Sequence, residues 1–198
     1  MNRKWLVPGI IGVVVVVILL MVVGGYNGLV NQREGVNSKF AALQGQYQRR
    51  ADLVPNLVST VKGAANFEQE TLTKVTEARA KATSISIDPS KATPQQLAQY
   101  QASQGELSQA LGRLLAVSEA YPALTATQNF RDLQTQLEGT ENRIAVARKD
   151  YNDAASTYNA RIQRFPTNIT AAVFGFDKFN YFQADAGAED APKVDFGN

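Results

Sequence analysis

The chain has 198 residues, which is enough for one membrane anchor and one domain of ordinary size. Its formal charge at pH 7 is +2, and Lys and Arg form no continuous stripe, so we expect no nucleic-acid partner. Cys and His are both absent, which excludes disulfides, thiolate metal ligands and histidine as a general base. We therefore expect no cofactor and no metal site, although carboxylates alone would be able to hold Ca²⁺ or Mg²⁺.

The N-terminus predicts a membrane anchor. Residues 1–4 are short and basic, and 5–25 form the predicted transmembrane helix. Its uncharged run, 5–23, spans roughly 28 Å at an α-helical rise, close to the ~30 Å of a hydrocarbon core. The alternative is a cleavable signal peptide, but the run exceeds the usual ~7–15 residues and Val23-Gly24-Gly25 is a poor cleavage site. Because Arg3 and Lys4 precede the run, the positive-inside rule favours a cytoplasmic N-terminus and a domain on the other side.

Residues 26–166 are predicted to form a helical domain, because four segments in this range show helical periodicity. The first two cover 26–52 and 55–83. The third opens at Thr93-Pro94, which suit an N-cap and a first helical position, and ends at Tyr121-Pro122. The fourth, from Thr127 to Phe165-Pro166, carries large side chains every seven residues: Phe130, Leu137, Ile144, Tyr151, Tyr158 and Phe165. We interpret these rings as core and not as a ligand cage.

The predicted fold is all-α: a transmembrane helix followed by an antiparallel up-and-down four-helix bundle with one long C-terminal helix. This architecture requires the chain to reverse near Pro55, because proline disfavours a continuing helix. A single kinked helix running past Pro55 is the alternative. The fourth helix is longer than the first three, so we expect it to overhang one end of the bundle.

Several runs of residues are more specific than any short catalytic motif. They are Tyr26-Asn27-Gly28-Leu29-Val30, Arg49-Arg50-Ala51-Asp52-Leu53-Val54-Pro55-Asn56-Leu57-Val58, Glu119-Ala120-Tyr121-Pro122-Ala123-Leu124 and Leu137-Glu138-Gly139-Thr140-Glu141-Asn142-Arg143-Ile144, with the pairs Tyr151-Asn152 and Tyr158-Asn159. In these runs the chain resembles the LemA family over nearly everything beyond the anchor. The resemblance implies a bacterial membrane protein with an anchored helical bundle and without established enzymatic activity. Some relatives are linked to building or remodelling bacterial membrane compartments.

Polar residues on or beside the apolar stripes are the candidate functional positions. They are Arg50, Asn56, Glu68, Arg79, Glu119, Glu138, Glu141, Asn142 and Arg148. We favour a network of ion pairs and hydrogen bonds that fixes helix register, because a charge beside a core is costly unless it is paired. The alternative is a recognition pocket for a polar ligand or a partner.

The C-terminal tail, 167–198, is aromatic at first and then acidic, and is predicted to be largely irregular. Its aromatic residues are candidates for contact with the membrane interface: Phe174, Phe176, Phe179, Tyr181 and Phe182. The rival interpretation is that these rings cover the open end of the bundle.

The function predicted from these features is that of a non-enzymatic, membrane-anchored scaffold in the bacterial inner membrane. Its expected partners are membrane lipid and either another copy or another membrane protein. No Gly-x-Ser-x-Gly or phosphate loop is present, so an enzyme is not expected. A membrane-tethered, ligand-sensing bundle that acts through a partner protein is the alternative.

Overall fold

A computed structural model describes residues 3–63 and 67–183, with side chains from residue 8 onward. These ranges contain six helices and no β-strand: α1 (Arg3–Lys62), α2 (Gln69–Ser84), α3 (Pro94–Ser118), α4 (Pro122–Thr125), α5 (Gln128–Gln163) and α6 (Thr167–Phe174). The all-α prediction is confirmed. Thr93 caps α3 as expected, because its hydroxyl accepts from the Gln96 amide while the Gln96 side chain accepts from the Thr93 amide.

The bundle consists of the second half of α1 together with α2, α3 and α5. The chain runs out along α1, back along α2, out along α3 and back along α5, with α1 against α5 and α2 against α3 as the main pairings. This is the predicted up-and-down order. The expected overhang of the fourth helix is wrong, since α5, with 36 residues, lies beside α1 from Phe130 and Val61 at one end to Ile162 and Leu29 at the other.

The predicted reversal at Pro55 is also wrong. Helix α1 continues through Pro55 and ends at Lys62, so the chain turns back between Gly63 and Gln69 instead. A proline inside a helix removes the donor that would bond to the carbonyl four residues earlier, here Ala51. In this bundle the Arg79 Nε of α2 donates to the Ala51 oxygen at 2.8 Å. A side chain 28 positions further along the chain thus satisfies the carbonyl that the proline leaves free.

We expect Arg79→Met to lower the free energy of unfolding by about 1–3 kcal/mol, because it leaves the Ala51 carbonyl without a donor in a buried position. In a Pro55→Ala background the loss should be smaller, since the new backbone amide reaches the same carbonyl. This coupling is measured by urea unfolding in detergent, followed by circular dichroism, of the unchanged protein, Arg79→Met, Pro55→Ala and the double variant. Arg49→Met, at an exposed position on α1, is the control. Equal losses in both backgrounds would contradict the pairing.

The first part of α1 is an apolar surface that the rest of the described chain leaves uncovered. The side chains from residue 8 to residue 23, which we call the apolar stalk, are exposed except for the partly covered Val22. Within the described residues, α1 is the one helix whose length and composition would allow it to cross a membrane. The same helix continues without a break into the bundle, where Leu29, Val36 and Phe40 are buried.

The predicted irregular tail begins with a helix. Helix α6 ends at Phe174 and is capped by Gly175, whose φ of +68° is left-handed and suits glycine. Residues 175–183, which we call the C-terminal segment, then lie along the bundle without regular structure. The predicted membrane contact is wrong for Phe176, Phe179 and Phe182, because these three side chains are buried in the core. Phe174 and Tyr181 are exposed, and the acidic end of the tail lies outside the described residues.

Side-chain amides hold the C-terminal segment in place. Asn159 of α5 donates from Nδ2 to the Phe179 carbonyl at 2.8 Å and accepts from the Phe179 amide at 2.9 Å. Asn152, two helical turns earlier, binds the Phe182 backbone in the same two-bond arrangement at 2.9 and 3.0 Å. Gln101 of α3 does so for Gln183 at 2.8 and 3.1 Å. The amides thus replace the backbone partners that a neighbouring strand would supply.

Candidate functional site

The interior of the bundle is divided into two apolar clusters. The stalk-side core extends from Leu29 to Tyr47 on α1 and includes Tyr100 of α3 and Ile144 of α5. The distal core begins at Leu53 on α1 and includes Leu107 of α3 and Leu137 of α5. On each of these three helices the change from one cluster to the other falls at a polar position. These positions are Arg50, Gln104 and Glu141, and together with Ser108, one turn after Gln104, they form what we call the polar layer.

Arg50 is the centre of the polar layer, and its side chain is 0% exposed. Its Nη1 donates to Glu141 Oε1 at 2.8 Å and to Ser108 Oγ at 2.5 Å. Its Nη2 donates to Gln104 Oε1 at 2.8 Å and to the Gln104 carbonyl at 3.1 Å. The guanidinium also lies 5.3 Å from the centre of the Tyr47 ring. A buried cation is therefore paired and hydrogen-bonded through both terminal nitrogens.

The polar layer connects all four helices of the bundle. Gln104 and Ser108 are one helical turn apart on α3 and therefore face Arg50 of α1 together. Glu141 reaches the same point from α5, with its side chain 41% exposed to solvent. The fourth connection is to α2, because Gln104 Nε2 donates to the Ala82 carbonyl at 2.9 Å. A shift of one helix along its neighbour would break several of these bonds, so the layer can define helix register.

A groove of about 370 Å³ opens beside the polar layer. Tyr47, Tyr100 and Gln104 line its inner side, and Thr83 and Ser86 lie at its α2 edge. Burial raises the pKa of the Tyr100 hydroxyl, with a smaller contribution from Tyr47, so this phenol stays neutral well above physiological pH. The groove can offer hydroxyl and amide groups to a small polar molecule, but it contains no nucleophile with an activating base. Among the described residues no cluster of three or more acidic side chains is close enough to hold a metal ion.

The structure brings together only some of the predicted polar residues. Arg50 and Glu141 form the ion pair, and Arg79 donates to the carbonyl of Ala51, the residue after Arg50 on α1. Arg148 is half-buried elsewhere on α5. The remaining five are exposed and lie outside the layer: Asn56, Glu68, Glu119, Glu138 and Asn142.

Sequence reasoning missed Gln104 and Ser108. A signal for Gln104 exists, because the apolar stripe of α3 passes from Tyr100 to Leu107 without an apolar residue at the intervening buried positions, 103 and 104. A gap of this kind in an otherwise regular stripe indicates a polar contact in the interior.

The fold and the polar layer define a class of protein: a four-helix bundle carried on an apolar N-terminal helix, with a buried arginine whose ion pair joins two of its helices. The chain belongs to the LemA family, whose model matches residues 39–196.

Relatives with this similarity include two magnetosome proteins of Paramagnetospirillum magneticum, MamQ 1 and MamQ 2. Each is 30% identical over 190 residues, covering 85% of this chain and 68% of the relative. Protein LemA of Metamycoplasma hominis is 28% identical over 162 residues, covering 82% of this chain and 70% of that protein.

Proposed function

We propose that the protein is a non-enzymatic, membrane-anchored scaffold that contributes to bacterial membrane organisation or remodelling through self-association. The observation that carries this proposal is the continuity of α1, a helix of 60 residues. Its exposed apolar stalk and its buried bundle positions belong to one uninterrupted helix, so the bundle has no flexible linker to the stalk. An exposed apolar surface of this length is stable only when lipid or protein covers it. A bundle held in this way is suited to fixing positions at a membrane.

The proposed location is the inner membrane, crossed once, with the bundle outside the cytoplasm. Arg3 and Lys4 precede the stalk, and the first basic residue after it is Arg33, which favours a cytoplasmic N-terminus. The similarity to proteins named for the magnetosome supports a role at a membrane compartment. The chain has no cysteine, so Val146→Cys carries a single thiol, on the bundle. A thiol reagent that does not cross the membrane can label this thiol only from the side on which the bundle lies, so the side that gives labelling tests the orientation.

We expect the protein, extracted in mild detergent, to have a mass of at least two chains of 21.5 kDa each after correction for detergent. We expect this mass because copies that share the same membrane orientation associate with one another. Light scattering on a size-exclusion column gives the mass, and in-membrane cross-linking before extraction controls for dissociation in detergent. A monomer by both methods would contradict self-association and leave the anchored bundle itself intact.

The groove beside the polar layer favours one alternative, a ligand-sensing bundle that acts through a partner. Its volume of about 370 Å³ suits a small molecule, and Tyr47 and Gln104 place polar atoms on its inner side. The same purified material distinguishes the two functions. A small molecule identified by native mass spectrometry and lost in Gln104→Leu would support sensing, whereas an oligomer without a bound molecule supports the scaffold.

A further inference from the structure

Helix α6 exposes the side that a water-soluble helix would bury. Seven large apolar or aromatic side chains are exposed among the described residues beyond the stalk, and four of them lie in or next to α6: Phe165, Ile169, Val173 and Phe174. Phe165 is 80% and Val173 is 71% exposed. The opposite side of the helix, with Thr170 and Ala171, is buried against the bundle. Apart from the contact of Phe174 with the Tyr26 ring, the apolar face of α6 therefore has no protein partner among the described residues, whereas the side with Thr170 and Ala171 has one.

This apolar face adjoins the point where the stalk enters the bundle. A Cβ on Gly25 would lie 3.3 Å from Thr170 Oγ1, so the glycine allows α6 to approach α1 closely there. The Tyr26 ring contacts the Phe174 ring edge-on, with ring centres 4.9 Å apart. Val23, the last strongly exposed apolar residue of the stalk, is only two residues before Gly25, or about 3 Å along the helix axis. The exposed face of α6 thus continues the apolar surface of the stalk.

The charges around α6 suit the same environment. Arg164 directly precedes Phe165, and Lys178 follows the helix by four residues. Both side chains are exposed, and the exposed carboxylate of Asp177 lies beside Lys178 in the sequence. Basic side chains beside an apolar face are typical of elements that lie in the headgroup region, where they meet anionic lipids. Aromatic rings such as those of Phe165 and Phe174 are also favoured at this depth.

We propose that the face formed by Phe165, Ile169, Val173 and Phe174 lies in the interface of the membrane that α1 crosses. The inference rests on the proposed anchoring, because the continuity of the two apolar surfaces identifies lipid as the occupant. A helix through the bilayer leaves the bundle free to rotate about the helix axis. A second contact from α6, held against α1 at Gly25, fixes that rotation and sets which side of the bundle faces the lipid.

Fluorescent labels on single cysteines test this contact in the full-length chain, which has no cysteine of its own. Val173→Cys reports on α6, Val146→Cys on an exposed apolar position of α5, and Val15→Cys on the stalk. Each variant carries an environment-sensitive dye and is reconstituted into phosphatidylcholine vesicles with or without phosphatidylglycerol. We expect the labels at 173 and 15 to emit at shorter wavelength and to lose intensity with brominated lipids, while the label at 146 does neither. Phosphatidylglycerol should strengthen quenching at 173 only.

The other outcomes overturn specific steps. Quenching at 15 but not at 173 would show that the anchor is in lipid and that α6 is not, which removes this inference and leaves the proposed anchoring. Absence of quenching at 15 would remove the anchoring itself. A blue shift at 173 without quenching by brominated lipid would mean that protein, such as a second copy, covers the face, and this too would overturn the inference. Because all three side chains are exposed, the substitutions should not disturb folding.

Discussion

Glu141→Gln is expected to lower the free energy of unfolding by about 3 kcal/mol, the lower end of the cost of breaking a buried ion pair. The substitution keeps the shape and one acceptor oxygen but removes the only carboxylate among the described residues that contacts Arg50. Arg50 is completely buried, so its charge would remain in the interior without a counter-charge. The lower end applies because the Glu141 side chain is 41% exposed, and water can partly replace the carboxylate. Urea unfolding in detergent, followed by circular dichroism, measures the loss.

A second substitution separates the charge from the contact. In Arg50→Met/Glu141→Gln no buried charge remains, so we expect this double variant to be more stable than Glu141→Gln alone. Glu138→Gln is the matched control, since it lies three residues earlier on α5, is exposed and should cost less than about 0.5 kcal/mol. The single variant Arg50→Met completes the comparison. If the double variant loses as much free energy of unfolding as Arg50→Met and Glu141→Gln lose together, Arg50 and Glu141 are not energetically coupled and the polar layer does not act as a unit.

Arg50 and Glu141 were both predictable as members of a polar network, but the extent of that network was not. Periodicity places a residue near an apolar stripe, whereas burial also depends on how far each helix is rotated towards its neighbours. Glu138 and Glu141 are less than one turn apart on α5, yet only Glu141 faces Arg50. Ser108 was missed because a serine beside a leucine stripe carries no signal until a cation from another helix contacts it.

The helix through Pro55 shows a second limit of sequence reasoning. The rule that proline ends a helix reflects the free carbonyl that it creates as well as the steric effect of its ring. Whether the helix ends therefore depends on finding another donor for that carbonyl. Here the donor is Arg79, on a helix that exists only after the chain has turned back. The predicted bundle is still correct, because the chain reverses after Lys62, fewer than three helical turns beyond the predicted reversal at Pro55.

The aromatic tail could not be oriented from its composition, because phenylalanine is equally suited to a core and to a membrane interface. Backbone polarity decides between them. Buried Phe179 can lie inside the bundle only if its own N–H and C=O find partners there, and Asn159 provides both. The spacing of seven residues between Asn152 and Asn159 is the signal that was available, because it places two amides on one face of α5.

Asn159→Leu should therefore lower the free energy of unfolding by about 4 kcal/mol, since it leaves one buried donor and one buried acceptor unpaired at about 1–3 kcal/mol each. Asn142→Leu, at an exposed position on the same helix, is the matched control. The destabilisation should also begin in one part of the structure, the C-terminal segment. Phe179 packs against Tyr158 with ring centres 5.1 Å apart, and Phe182 packs against Tyr151 at 5.3 Å.

Loss of the Asn159 amide should release the first part of the C-terminal segment before the helices separate, because the remaining side-chain hydrogen bonds, at Asn180, Phe182 and Gln183, all lie beyond Phe179. Hydrogen exchange measured by mass spectrometry should then rise in peptides covering 175–183 at denaturant concentrations where α1 and α5 remain protected. Unchanged exchange in this segment, together with unchanged stability, would mean that the Asn159 amide is not needed to hold it. In that case the segment would owe its position to the packing of Phe179 and Phe182 and to its remaining hydrogen bonds, such as those of Asn152.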